Sequence, residues 1–270
     1  MKFLQILLLS VFSLTFLGAC SPTESGPQSL LNIVLVDAPP AYDSVFVEIL
    51  GVDVTVNVAG RDTDSQTIFI PYDLGDKEIK VSDLVAGEVL LLGRMALPPG
   101  RLVGMNLILG DRYFLWQDED RFEISLFEGF SDDIPIPINL DLEAGLSYDV
   151  ILDFDLEKSI QTIQSDPLDL VLTPRLTALI PGTFGEISGS LAPSTLRPAI
   201  IAASDSDTVS THTNNTGSFL LRLPPGRYDI FFDPKDGGFL PDTLQNVEVT
   251  LGESLSLDRI TLSPIPIDDE

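Results

Sequence analysis

The sequence has very little of several residue types on which enzyme and metal sites depend. It contains one cysteine, Cys20, and one histidine, His212, among 270 residues. A single cysteine excludes an intramolecular disulfide framework. One thiol and one imidazole also leave little material for zinc sites, or for Ser-His and Cys-His catalysis. Phosphate-binding loops and Gly-rich dinucleotide motifs are absent too. These absences predict that the protein is not an enzyme.

Basic residues are also scarce. Lysine and arginine number 15 against 41 acidic residues, which gives a formal net charge of −26 and a pI near 4.1. Nucleic-acid binding needs a basic surface, so the charge argues against a nucleic-acid partner. It argues equally against electrostatic docking on anionic lipids. Apolar residues make up 44% of the chain, however, which is enough to bury hydrophobic cores.

Long hydrophobic runs are missing except at the N terminus. After Met1 and Lys2, residues 3–16 are almost wholly apolar. A charged start followed by a short apolar run is typical of a secretory signal peptide, and the run is short for a membrane-spanning helix. The next four residues resemble the lipobox of bacterial lipoproteins, in which an aliphatic residue and two small residues precede a cysteine: Leu17-Gly18-Ala19-Cys20.

The lipobox resemblance implies that the chain is a precursor cut before Cys20, whose thiol then receives a diacylglycerol. Two or three acyl chains hold a protein stably on a membrane. Residues 20–29 are rich in Pro, Gly, Ser and Gln and predict a flexible tether. Ser21 after the cysteine is compatible with sorting to the outer membrane, on its periplasmic face or at the cell surface.

From Leu30 onward the pattern is that of β-strands. Val52, Val54, Val56 and Val58 alternate with polar residues, as expected for a strand with one buried face. Helical periodicity is scarce, and only residues 81–95 have room for one short helix. Further strands, each bounded by Gly, Pro or acidic turns, are predicted over 102–109, 112–116, 122–126 and 148–154.

A domain boundary is expected near Ile180-Pro181-Gly182-Thr183, where one series of strands closes and another opens. The later strands are predicted over 199–203, 208–213, 218–223, 227–232, 244–250 and 254–262. Short strands with regular turns favour sandwiches over parallel α/β folds. The fold class is therefore all-β, with two tandem β-sandwich domains after the lipoprotein signal peptide. The predicted divisions are 1–19, 20–29, 30–182, 183–263 and an acidic tail, 264–270.

Several blocks of the first domain occur in the order found in a known family. They are Leu35-Val36-Asp37-Ala38-Pro39 with Tyr42-Asp43-Ser44-Val45, Leu97-Pro98-Pro99-Gly100-Arg101, Ala144-Gly145-Leu146-Ser147-Tyr148-Asp149-Val150 and Leu152-Asp153-Phe154-Asp155. Through these blocks the domain resembles a family of exported bacterial proteins known as domain of unknown function 4382. The resemblance implies a β-sandwich and brings no known activity.

The second domain contains three motifs with tight-turn residues: Gly185-Glu186-Ile187-Ser188-Gly189, Asn214-Asn215-Thr216-Gly217-Ser218-Phe219 and Pro224-Pro225-Gly226-Arg227-Tyr228. Through these motifs it resembles the carboxypeptidase regulatory-like family of transthyretin-like sandwiches, which are grouped with carbohydrate-binding-like folds. Such modules serve as spacers, glycan binders or assembly parts, so the resemblance does not fix a function.

Two sets of residues are candidate binding sites. Asp153 and Asp155 flank Phe154 on one predicted strand and face the same side, and paired carboxylates suit Ca²⁺. Trp116 with the nearby Tyr113 is a candidate platform for stacking a sugar, with core packing as the alternative. Solvated turns are the alternative for the acidic pairs, including Asp62 with Asp64 and Asp205 with Asp207.

The sequence thus predicts a membrane-anchored cell-envelope lipoprotein with a non-catalytic binding or assembly role. Its expected partners are the membrane, glycans and other envelope proteins. Two alternatives remain open: a structural spacer without a ligand, and a hydrolase built on two carboxylates. The hydrolase would need a cleft with two nearby acids in unequal environments.

Overall fold

The computed structural model describes residues 26–38, 42–60, 65–165, 168–205, 208–235 and 237–266. The predicted all-β class is confirmed, since about 64% of the described residues are strand and 4% are helix, in several separate sheets. No helix in the described part of the chain is long and apolar enough to cross a membrane.

The described residues between 29 and 179 form thirteen strands and one short α-helix, α1 (Leu156–Ser159). The strands are β1 (Ser29–Ala38), β2 (Ser44–Val58), β3 (Ser65–Pro71), β4 (Glu78–Lys80), β5 (Leu90–Leu97), β6 (Gly100–Gln117), β7 (Asp120–Leu126), β8 (Asp133–Ile136), β9 (Leu140–Leu142), β10 (Ser147–Asp155), β11 (Ile160–Ser165), β12 (Leu168–Leu172) and β13 (Leu176–Leu179).

These strands make two sheets that pack against each other. The smaller sheet has the order β13-β10-β1-β5, and in it β1 pairs in parallel with β10 and antiparallel with β5. The larger sheet has nine strands, along the path β11-β12-β7-β6-β2-β3, with β4, β8 and β9 attached to β2 or β6. One continuous hydrophobic cluster between them includes Leu31, Val54, Leu107, Leu152 and Phe154.

The strand alternation read from the sequence is what builds this core. In β10, Val150, Leu152 and Phe154 are fully buried, whereas the residues between them are only partly buried. The segment expected to allow a helix instead contains a single 3-10 turn, Val81–Asp83, followed by β5. Because the apolar residues of β5 pair along β1, sheet pairing prevails over a weak helical pattern that contains two glycines.

The remaining strands form a second pair of sheets. They are β14 (Gly185–Ala192), β15 (Ala199–Ala203), β16 (Thr208–His212), β17 (Ser218–Leu223), β18 (Gly226–Asp233), β19 (Asp242–Val249), β20 (Ser254–Ser256) and β21 (Ile260–Thr261). One sheet has the order β17-β14-β20 with β21 also on β14, and the other has the order β16-β15-β18-β19. Their shared core is a separate cluster that includes Ile187, Phe219, Ile230 and Phe232.

The turn between β16 and β17 shows how local chemistry fixes this second unit. The side-chain Oδ1 of Asn214 accepts hydrogen bonds from the backbone N–H groups of Thr216 and Ser218, both at 3.0 Å. Gly217 has φ of +83°, a value that glycine adopts at little cost. The turn directs Phe219 into the core, where it meets Phe232 edge-to-face at 6.1 Å between ring centroids.

Candidate functional site

The residue predicted to carry lipid, Cys20, lies outside the described residues, as does the whole predicted signal peptide. Asp62, Asp64 and Asp207 are outside them as well. The lipid anchor therefore stays a prediction from the sequence.

The structure does not bring Tyr113 and Trp116 together as a sugar platform. They lie three residues apart on β6, and alternation along a strand sends them to opposite faces. Tyr113 is buried in the core of the first unit, and its hydroxyl donates a hydrogen bond to the carbonyl oxygen of Gly110. Burial raises the pKa of Tyr113 to about 12. Its interpretation as a ligand contact is corrected to core packing, and only Trp116 is exposed.

The predicted calcium pair lies on one face of β10, but Asp155 is already engaged. Its Oδ1 accepts the backbone N–H of Lys158 at 2.9 Å, which caps α1. Its Oδ2 lies 2.9 Å from the ammonium of Lys158, which takes the place that a cation would occupy. Among the described residues, no group of three or more His, Cys, Asp or Glu side chains could hold a metal ion.

Asp153 has a different environment from Asp155. Its Oδ1 is buried and has no hydrogen-bond partner in the described chain. Burial, with a further contribution from the neighbouring charge of Asp155, raises the pKa of Asp153 to about 6, against the lowering effect of Arg222 and Lys158. The space beside it is about 20 Å³, which holds about one water molecule and no substrate.

A much larger cavity lies on the outer face of the second unit. It has a volume of about 360 Å³, within the usual range for small-molecule sites. The strand β18 supplies four of the eight lining residues. Ile230 and Phe232 on this strand are buried in the core, whereas Phe231 between them points outward. The lining residues are Ala203, Ser204, Asp205, Arg227, Tyr228, Asp229, Phe231 and Asn246.

A β-bulge shapes this cavity. The pairing of β18 with β19 shifts register between Tyr228 and Ile230. On the opposite strand Asn246 adopts φ of +57°, a left-handed conformation in which asparagine is enriched. Its backbone N–H donates to Asp229 Oδ1 at 2.9 Å, which orients that carboxylate at the cavity. Bulges of this kind commonly redirect side chains beside binding sites.

The cavity combines one exposed aromatic ring with several polar groups. The Phe231 side chain is 41% exposed, although it lies between the buried Ile230 and Phe232. Arg227 and Asp229 lie on the same face of β18, and Asp205 and Asn246 contribute from neighbouring segments. A flat apolar ring flanked by donors and acceptors can bind a ligand that has both an apolar face and hydroxyl groups.

This cavity was not predicted from the sequence, although one signal for it was available. Phe231 and Phe232 are adjacent in a predicted strand, and successive side chains of a strand point to opposite faces. One of the two phenylalanines must therefore face outward. The bulge and the conformation of Asn246 had no comparable signal in the sequence.

Comparisons with known proteins find similar chains among solved structures. No curated protein matches the chain. Among solved structures, the shaft pilin of Lactobacillus rhamnosus GG is 11% identical over 89% of this chain and 99% of its own, with a TM-score of 0.25. The minor pilin of Streptococcus agalactiae is 10% identical over 88% of this chain and 98% of its own, with a TM-score of 0.23.

A type II cohesin–X-dockerin complex from Acetivibrio cellulolyticus matches over 29% of this chain and 56% of its own, at 20% identity and a TM-score of 0.23. The chain thus spans little more than half the length of that relative. TM-scores this low carry no argument about the function of this protein.

The family comparison is more decisive. Residues 28–174, just over half of the chain, match the family described as Domain of unknown function (DUF4382). The match covers all of β1 to β12 and confirms the resemblance seen in the first half of the sequence. The chain therefore belongs to the DUF4382 family.

Proposed function

We propose that this protein is a non-catalytic binding lipoprotein of the cell envelope, and that its second sandwich binds a saccharide. The observation that carries the proposal is the cavity of about 360 Å³ with the exposed ring of Phe231 at its surface. The resemblance of this half to carboxypeptidase regulatory-like sandwiches is in keeping with such a role.

The chemistry of the cavity suits a sugar ring. Sugars present an apolar face of C–H groups and an edge of hydroxyls, so they bind where an aromatic ring lies beside hydrogen-bonding groups. Phe231 supplies the ring, Arg227 supplies donors, and the carboxylates of Asp205 and Asp229 supply acceptors. Because the Asp229 carboxylate is fixed by the backbone of Asn246, it loses little freedom when a ligand binds.

A carboxylate-based hydrolase is less well supported. It would need an acid of raised pKa in a cleft that admits a substrate. Asp153 is a carboxyl group whose pKa is raised by burial, and the space beside it holds about one water molecule. Asp153, the acid with a raised pKa, therefore does not line the cavity beside Phe231, which is large enough for a substrate.

We further propose that Cys20 carries the lipid and that the protein is held at the outer membrane. The support is the lipobox-like segment, residues 17–20, and the Ser at position 21. Mass spectrometry of the N-terminal peptide tests the modification. Cell fractionation of the wild type and of Cys20→Ser tests the anchor, because the variant is expected to leave the membrane fraction. Protease treatment of intact cells distinguishes the cell surface from the periplasmic face.

Saccharide binding is tested with the mature chain carrying Cys20→Ser, screened against a glycan panel with and without Ca²⁺. For a glycan that binds, Phe231→Ala should weaken affinity at least about tenfold, which corresponds to about 1.4 kcal/mol. The matched control is Phe69→Ala, because Phe69 is similarly exposed at 46% but lies on β3 of the first sandwich.

Three results would count against the proposal. Affinity unchanged in Phe231→Ala would remove the cavity from the interaction. A loss limited to Trp116→Ala would place the site on the exposed Trp116 instead. Absence of saturable binding to any glycan would favour a protein partner or a spacer role.

A further inference from the structure

The two sandwiches are joined by polar contacts between their facing ends. The ammonium of Lys158, on α1, donates to the carbonyl oxygen of Thr208 on β16 at 2.8 Å. The ammonium of Lys235, in the second sandwich, lies 2.7 Å from Glu157 Oε1 on α1. Leu220 also approaches the turn at Gly87. The C-terminal ends of β1 and β10 therefore face the second sandwich.

A small space lies within this interface. The first sandwich contributes Val36, Asp37 and Asp153 to its walls. The second sandwich contributes residues of β16 and β17, among them Thr211 and Arg222. At about 20 Å³ it has room for about one water molecule, so a charge facing it is poorly solvated.

Asp153 is the group most affected by this packing. Its Oδ1 is buried and finds no hydrogen-bond donor in the described chain. Arg222 faces the same space, but its Nε is bound to Glu186 Oε1 at 3.2 Å. The guanidinium that could neutralise Asp153 is therefore shared with a second carboxylate.

The surrounding charges are mainly negative. Asp155 lies on the same face of β10, and Lys158 is paired with it. Further charged or titratable residues belong to the segments that meet at this interface. They are Asp37 on β1, Glu88 beside the Gly87 turn, Glu157 on α1, Glu186 on β14, His212 on β16 and Lys235. Burial is the main cause of the raised pKa of Asp153; the charge of Asp155 adds to it, and the charges of Arg222 and Lys158 oppose it. A negative charge on Asp153 is therefore unfavourable when the two sandwiches are packed together.

We propose that the carboxyl group of Asp153 is a proton-dependent latch that holds the two sandwiches together when it is neutral and loosens them when it ionises. Opening would bring the carboxylate into water, where its ionised form is stable. The latch concerns the orientation of the two sandwiches and does not depend on what the second one binds.

The direction of the pH effect follows from linkage. The closed form has a pKa for Asp153 of about 6, against 3.8 for the ordinary solvated group, so closing the interface binds a proton. Acidic pH therefore favours the closed form, and this preference is lost as the pH rises through about 6. Lowering the pH from 7 to 5 should raise the ratio of closed to open molecules about tenfold.

The test measures the distance between the sandwiches in the mature chain with Cys20→Ser. Spin labels are placed at Leu146→Cys in the first sandwich and Leu251→Cys in the second, because both side chains are about half exposed. The expected result is a narrow distance distribution at pH 5 and a broader one at pH 7. Asp153→Asn, which is neutral at every pH, should remain narrow at both.

The control is Asp169→Asn, an exposed carboxylate on β12 that should leave the pH response of the wild type unchanged. This variant tests whether removing the negative charge of an exposed carboxylate, away from the interface, is enough to change the pH response. Identical distance distributions of the wild type at pH 5 and pH 7 would overturn the latch. So would a pH response in Asp153→Asn as large as that of the wild type.

Discussion

Arg112 on β6 holds the carboxylate of Glu48 on the neighbouring strand β2, with Nη2 at 2.9 Å from Oε1. The backbone N–H of Asp111 donates to the same carboxylate at 3.0 Å. Only 10% of the Glu48 side chain is exposed. The negative charge of the nearly buried Glu48 is therefore balanced by Arg112. The hydrogen bond from Arg112 is the main reason why the pKa of Glu48 is lowered to about 2.

Glu48→Gln should lower the free energy of unfolding at pH 7 by on the order of 2 kcal/mol. Because the folded-state pKa is below the ordinary 4.5, this stabilisation is present above pH 4.5 and is lost as the pH falls towards 2. Urea unfolding of wild type and variant across this pH range measures it. Asp83→Asn is the control, since its ion pair with Lys80 is solvent-exposed. A stability difference that stays constant with pH would contradict the prediction.

Two separate hydrophobic clusters predict two unfolding transitions. Phe154 is fully buried in the first cluster, and Phe219 is buried in the second. Phe→Ala in a core costs about 3–5 kcal/mol. Differential scanning calorimetry of Phe154→Ala and Phe219→Ala should therefore show different transitions moving to lower temperature. If both variants lower the temperature of one common transition, the two sandwiches unfold as a single unit.

Asn214→Ala should destabilise the second sandwich by about 1–2 kcal/mol, because the turn loses the side-chain acceptor for two backbone N–H groups. Asn215→Ala is the matched control, since Asn215 is the adjacent and exposed asparagine. Denaturant unfolding of the two variants compares them directly. Equal destabilisation would mean that the hydrogen bonds of Asn214 contribute little.

Calcium should not stabilise the protein specifically. The carboxylate of Asp155 is taken by the backbone N–H and the ammonium of Lys158. The melting temperature is therefore expected to be the same in Ca²⁺ and in Mg²⁺ at equal ionic strength. A saturable rise in melting temperature with Ca²⁺, lost in Asp155→Ala, would restore the predicted site.

Short strands bounded by strong turn residues were predictable from the sequence. The strands expected over 199–203 and 218–223 coincide with β15 and β17. In contrast, the expected strands 102–109 and 112–116 are one continuous strand, β6. Gly110 and Asp111 looked like a turn, but β2 pairs along both halves of β6 and absorbs the irregularity through register shifts.

The candidate sites were less predictable, because long-range contacts form them. Tyr113 and Trp116 are close in sequence, but the strand separates them. The Phe231 cavity needs the bulge in β19, and the buried Oδ1 of Asp153 needs the second sandwich. The alternation of apolar and polar residues identifies which side chains of a strand face inward or outward. The Phe231 cavity and the burial of Asp153 depend instead on which distant segments of the chain contact each other.

The central position of β1 has a mechanical consequence. It pairs in parallel with β10 from Leu30 opposite Ser147 to Ala38 opposite Asp155. When a force pulls on the start of one strand of a parallel pair and on the end of the other, it acts along the strands. The hydrogen bonds between the two strands are then loaded in shear and must break together. If the protein is held by its N terminus and pulled, the pairing of β1 with β10 would thus resist the tension. The lifetime of the folded protein under that force would depend on its unfolding rate.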